Sequence, residues 1–182
     1  DRQVPVDRLC ELTRDAHQAH GADPELLELC VRVHFGRQDV ELALPQTNLF
    51  LQGRDDARLT PRGIAPVGLL RSSGVNVAAG GDNVQDPFNL MGRSDPLEAA
   101  SLMVMAAHES PEDAFDLVSG GARRVMGLPV AGPEVGSVAD IVAVSARSVR
   151  EAVAEASPDR IVFHRGREVA RTTVRRDIQS GG

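Results

Sequence analysis

The chain has 182 residues and a net charge of −6, with 42% hydrophobic and 25% charged residues, proportions suited to a soluble globular protein with a core of its own. The acidic balance offers no footprint for a phosphate backbone, and 3% aromatics, with no Trp or Tyr, cannot build a stacking platform for single strands. Nucleic acid is therefore not an expected partner. No apolar run reaches membrane-span length and no secretory leader is visible, so the expectation is a cytoplasmic protein with no membrane partner.

Residues 7–19 pattern as an amphipathic helix, with Leu9, Leu12, Ala16 and Ala19 near helical spacing. Asp23-Pro24 is a helix start, and Leu26, Leu27, Cys30, Val31 and Val33 are expected to follow on that helix. Cys10 and Cys30 then read as small hydrophobes rather than a disulfide framework. Val40–Leu44 is an apolar strand broken by Pro45, and Gln46–Pro61 is expected to be a long polar loop. Thr60-Pro61 opens a helix carrying Ile64, Val67, Leu69 and Leu70, which Ser73-Gly74 ends; Val75–Ala79 is the next strand. Strand, helix, strand is a βαβ unit, whose natural outcome is a parallel pair with a right-handed crossover.

Ser94-Asp95-Pro96 starts a helix through Leu97, Ala100, Met103, Val104 and Ala107, with Met103 and Met105 read as core packing. Ser110-Pro111-Glu112-Asp113 caps another helix, expected to run to Met126 and stop at Gly127. Beyond Pro129 the chain is punctuated by Gly132, Pro133 and Gly136. Then come a strand over 139–144, a short helix over 149–156, and a hairpin, 160–164 and 168–174, around Arg165-Gly166-Arg167. A domain boundary is expected near Leu128, giving units of 1–128 and 129–182.

The run Asn76-Val77-Ala78-Ala79-Gly80-Gly81-Asp82-Asn83 is where chemistry is expected. A carboxylate at the C-terminal end of a strand is the usual place for catalysis in barrel and doubly wound enzymes. The two glycines would let the chain leave the strand sharply and let a ligand come close. Asp82 could bind a divalent metal or shuttle a proton; it could equally cap a turn beside Asn83. Asn83 could bond a substrate or hold the loop, while Asp86-Pro87 reads as a turn pair. Of the histidines, His17 and His20 suit a solvated helix end, and His108 and His164 read as structural. His34 is the one upstream of the first strand with any reach toward a site. Gly80-Gly81 lacks the Lys of a phosphate-binding loop, which disfavours nucleotide chemistry.

Three blocks carry a resemblance: 45–54 (Pro45-Gln46-Thr47-Asn48 through Arg54), 80–88 (Gly80-Gly81-Asp82-Asn83 through Phe88) with Gly92, and 135–144 (Val135 through Val144) followed by 163–169. In that order they resemble the C-terminal portion of the amidohydrolase superfamily, in its cytosine deaminase-like branch, over about Val40 to Val174. The resemblance implies an α/β fold: the last strands and helices of a metal-dependent (β/α) barrel, plus a C-terminal segment of a composite β-sandwich. It implies a metal-dependent hydrolase that deaminates a small nitrogen heterocycle. Asp82 would contact the catalytic zinc or iron and take a proton from the attacking water, Asn83 would stand beside it, and Phe88 would wall the substrate pocket. Asn48, Gln52 and Arg54 would lie over the barrel mouth.

The family's His-x-His pair and its general-base glutamate have no counterpart here. Three or more ligands are the norm for a metal site, so this chain alone is expected not to retain the ion. A beginning at Asp1 rather than Met, with residues 1–38 unmatched, reads as a missing N-terminal portion or an open surface for a homo-oligomer. The competing expectation is a non-catalytic truncated remnant or interaction module.

Overall fold

In the computed structural model the described residues are 31–35, 38–52, 63–175 and 177. The expected helices before residue 31, with Cys10, Cys30, His17 and His20, lie outside them, as do Arg54 and Thr60-Pro61. The architecture is mixed α/β with two three-stranded sheets, ordered β1-β2-β3 and β4-β5-β6.

The first sheet joins β1 (Val31–Phe35), β2 (Gln38–Ala43) and β3 (Asn76–Ala79). Strand β1 runs antiparallel to β2, with Val33 opposite Val40, and β2 runs parallel to β3, with Leu42 opposite Ala78. The expected parallel pair is present. Val31 and Val33, however, belong to a strand and not to a helix. Val31, Val33 and Phe35 alternate with Arg32 and His34, a period of two that outweighs the weak helical spacing upstream.

Between β2 and β3 lie α1 (Pro45–Leu51) and α2 (Val67–Ser72). The former corrects the loop expected from Gln46. Pro45 ends the strand, but at the first helical position its fixed φ also favours the turn that follows. Asn48 N–H donates to Leu44 O at 3.1 Å and Gln52 N–H to Asn48 O at 3.2 Å. The helix is hard to read because Gln46, Thr47 and Asn48 are buried, so its inward face is polar and lacks the usual apolar stripe.

Helices α3 (Pro96–Ala107), α4 (Pro111–Val118) and α5 (Gly120–Val125) follow. Asp95 caps α3 through Leu97 N–H at 3.0 Å, and Ser110 caps α4 through Asp113 N–H at 3.0 Å. The single helix expected over 110–126 is two, divided at Ser119 (φ −126°, ψ −95°). The break lets α5 lie on β3: a Cβ at Gly121 would stand 3.0 Å from Val77 O and 2.9 Å from Asp116 O. Only a residue without a side chain fits between them.

Met103 is fully buried with Val67, Leu70, Val77, Leu97 and Leu117. Met105 is 63% exposed, so the expected pair of core methionines is one, and Leu69 likewise faces outward.

The second sheet consists of β4 (Ile141–Val144), β5 (Arg160–His164) and β6 (Arg167–Thr172), all antiparallel. The expected hairpin is there, its turn made by Arg165 and Gly166 at φ 49° and 75°. All of β6 is exposed. Helix α6 (Val149–Glu155), between β4 and β5, buries Val153 in the same core as Met103 and Leu117. Asp140, just before β4, accepts from Arg165 N–H at 2.9 Å and pairs with Arg123 at 3.2 Å and with His164 Nδ1 at 2.9 Å. That position fits the structural part expected of His164.

Candidate active site

The C-terminal ends of β2 and β3 lie side by side, because parallel pairing sends both chains out at one rim. Gly80 N–H donates to Ala43 O at 3.0 Å and extends the ladder by one residue. The turn away from the strand is then made by Asp82 itself, at φ 54°, and not by the glycines. Asp tolerates this left-handed conformation better than most residues, and such backbone gathers at functional sites. Its carboxylate is exposed at the rim.

Thr47, in the first turn of α1, is 3% exposed. Its hydroxyl stands 3.4 Å from both Asp82 Oδ2 and Asn83 Oδ1 and can donate to either. The first turn of α1 and the loop after β3 therefore meet at Asp82. Sequence reasoning passed over Thr47; the signal available was a hydroxyl two residues past a strand-ending proline.

Asn83 is tied into its own loop, donating from Nδ2 to Asp86 Oδ2 at 2.6 Å. Asp86 Oδ1 accepts from the N–H groups of Phe88 at 2.9 Å and Asn89 at 3.0 Å, as the turn reading expected. Burial pushes the Asp86 carboxyl upward, but the bonds from Asn83, Phe88 and Asn89 outweigh it and hold its pKa below the usual carboxylate range. Buried Asn89 reaches back to Asn83 O at 3.2 Å. Gly92 closes this knot, since a Cβ there would fall 2.2 Å from Asn83 O. The loop also carries exposed Val84, Phe88, Leu90 and Met91, Phe88 being 57% exposed.

The other candidates stand elsewhere. His34 is in β1, opposite Asp39, and His108 ends α3 in a left-handed conformation at φ 58°. Asn48 is buried and Gln52 Oε1 accepts from Gly63 N–H, so both belong to the body of the fold. Among the described residues no group of three or more His, Cys, Asp or Glu side chains could hold a metal ion. Asp82 alone does not fit one.

Two adjoining strand ends, a carboxylate on the rim and helices packed on the sheet are the layout in which α/β enzymes place their sites. The chain belongs to the amidohydrolase family, whose profile matches residues 33–176. It is 35% identical over 136 residues to a pterin deaminase of Rhizobium rhizogenes, an alignment covering 72% of this chain and 31% of that protein. The fold is similar to that of 5-methylcytosine deaminase from Klebsiella pneumoniae liganded with phosphonocytosine. That likeness has a TM-score of 0.65 and 23% identity, over 77% of this chain and 35% of the other. It is also similar to N-isopropylammelide isopropylaminohydrolase from Burkholderia multivorans, with a TM-score of 0.54 and 33% identity over 60% of this chain and 29% of the other. The chain thus spans about a third of the length of each. The family generally uses a divalent metal. Among the described residues no helix is long and apolar enough to cross a membrane.

Proposed function

We propose that this chain carries the Asp82 side of a hydrolytic site that deaminates a small nitrogen heterocycle. The carrying observation is the geometry of Asp82: exposed, left-handed, at the C-terminal rim of β3, with the Thr47 hydroxyl on Oδ2. With Oδ2 engaged by Thr47, Oδ1 is left for a water molecule. As water attacks the ring carbon that bears the amine, a C–O bond forms and its proton passes to Asp82. The proton then moves to the departing nitrogen as the C–N bond breaks, and ammonia leaves. Asn83 and Phe88 border the substrate; the first is steadied by Asp86 and the second offers a ring face.

The family's ion, zinc or iron, would activate the water, and the described residues do not complete a site for it. The remaining ligands would come from residues outside those described or from another chain. In this reading β2 and β3 are neighbouring strands of a (β/α) barrel, and β4-β5-β6 is part of a sandwich beyond a boundary near Leu128. The pterin and methylcytosine deaminases that the chain resembles support the substrate class.

Ammonia release from pterin and from cytosine, measured together with bound zinc and iron, tests the proposal. Wild-type turnover reduced about 10²–10⁴-fold in Asp82→Asn is expected. Equal turnover in the variant removes Asp82 from the chemistry. Neither metal nor ammonia from the wild type favours the non-catalytic remnant.

A further inference from the structure

The amide of Asn83 has two ends that differ in kind, since Oδ1 accepts and Nδ2 donates. Which end faces Asp82 decides what that corner of the fold can bind. Asp86 settles the matter. Its Oδ2 accepts from Asn83 Nδ2 at 2.6 Å, and its Oδ1 is committed to Phe88 N–H at 2.9 Å and Asn89 N–H at 3.0 Å. An ionised carboxylate only accepts, so a reversed amide would set oxygen against oxygen at that distance. The nitrogen therefore points into the loop. Asn83 Oδ1 lies 3.4 Å from the Thr47 hydroxyl, which stands equally far from Asp82 Oδ2. The backbone beneath is held as well: Asn89 Nδ2 donates to Asn83 O at 3.2 Å, and Gly92 approaches the same oxygen too closely for any side chain.

Two oxygens, one from a carboxylate and one from an amide, thus converge on a single hydroxyl. That hydroxyl has one proton, and the charged oxygen is the stronger acceptor for it. Asn83 Oδ1 keeps lone-pair capacity for a donor that a ligand brings. Asn83 is only half-buried and Asp82 is exposed, so a small ligand can reach this corner. We propose that Asp86 is a positioning residue that sets specificity: by holding the Asn83 nitrogen, it turns the Asn83 oxygen to accept an N–H of the heterocycle's exocyclic amine. The inference rests on the deaminase reading and adds to it how an amine is told from a carbonyl at one ring position. The substrate carries N–H donors there, whereas the deaminated product carries a C=O, which would face another acceptor. A site built to bond an N–H discriminates against a ring that lacks it.

Calorimetry on the full chain compares cytosine with uracil, and pterin with its 2-oxo counterpart, for wild type, Asp86→Asn, Asn83→Ala and the double variant. In Asp86→Asn the new side chain can keep its oxygen on the Phe88 and Asn89 N–H groups and turn its nitrogen to Asn83. Two amide nitrogens do not bond each other, so the Asn83 amide reverses and offers N–H to the site. In wild type the amino ring of at least one pair is expected to bind about tenfold tighter than its oxo counterpart, the effect of one hydrogen bond. That preference should fall about tenfold in Asn83→Ala and at least as far in Asp86→Asn. In the Asn83→Ala background Asp86→Asn should change it no further, because its effect passes through the amide. A merely loosened loop would weaken amino and oxo rings alike.

An amino preference unchanged in Asp86→Asn, or lowered equally when the Asn83 amide is absent, overturns the inference and leaves the deaminase reading standing. Where Asp86→Asn does not fold, Asn83→Ala decides, and a preference that survives it overturns the inference too. Equal wild-type affinity for the amino and oxo rings of both pairs does the same. Binding of no probe by wild type overturns the reading and the inference together.

Discussion

Arg160, on β5, forms a two-armed ion pair with Asp95, the residue that caps α3, 65 positions earlier. The arms are 2.9 and 2.8 Å long, and the side chains are only 19% and 17% exposed. Arg160 also donates to Ala156 O at 2.8 Å. One guanidinium therefore joins the second sheet, the end of α6 and the start of α3. Asp95→Ala removes an N-cap, about 1 kcal/mol, and strands a mostly buried guanidinium. A total loss of about 3–4 kcal/mol is expected by urea denaturation.

The same pair sets an acid dependence. Burial pushes the Asp95 carboxyl upward, but Arg160, the Leu97 N–H and Arg93 outweigh it, so the folded-state pKa lies below the ordinary 3.8. The unfolded chain thus takes up this proton first as pH falls. The stabilisation is complete above the ordinary value and is lost as pH drops through the folded-state one. The melting-temperature difference between wild type and Asp95→Asn should hold steady at neutral pH and shrink below about pH 4. A difference unchanged down to the acid limit of folding would show that the pair does not titrate in this way.

Thr47→Val removes the hydroxyl from Asp82 with little change of volume. Stability is expected to fall by about 1 kcal/mol. Turnover should fall about tenfold as the carboxylate loses the hydroxyl that steadies it. A loss of stability with unchanged turnover would mark Thr47 as packing only.

Gly92→Ala places a methyl group 2.2 Å from Asn83 O, 2.9 Å from Asn89 Nδ2 and 3.0 Å from Val84 Cα. Two of these three atoms are backbone, so the loop must move. About 2–3 kcal/mol of destabilisation is expected by denaturation, in the upper range for overpacking. Amide exchange should quicken over 83–92.

The two methionines once expected to pack alike should separate cleanly. Met103→Ala empties a fully buried position and should cost about 2–4 kcal/mol. Met105→Ala, at 63% exposed, should stay within about 0.5 kcal/mol. Paired melting curves decide it.

Much of this architecture is legible locally. The parallel partners β2 and β3, the caps Asp95 and Ser110, the Asp86 turn and the β5–β6 hairpin all follow from short-range rules. Alternation, side-chain oxygens before helices and left-handed turn residues act within a few positions of one another. Asp82 was visible for the same reason, standing where an apolar run meets its breakers. What stayed hidden depends on neighbours far along the chain. Helix α1 reads as a loop because its inward face is polar, and that face makes sense only against Gly81, Asp82 and Asn83. The break at Ser119 has its reason in Val77 O, which excludes any side chain at Gly121. Arg160 reads as an ordinary strand residue until Asp95 is brought to it.

Periodicity and turn chemistry in the sequence alone thus determined which segments become strands and helices over most of the described chain, and which carboxylate stands at a strand end. Tertiary structure decided what that carboxylate touches, which polar groups are buried beside it, and which of two methionines is core. The physical reason is range. Backbone preference acts over one turn, whereas burial and hydrogen-bond pairing depend on whichever distant segment packing brings alongside.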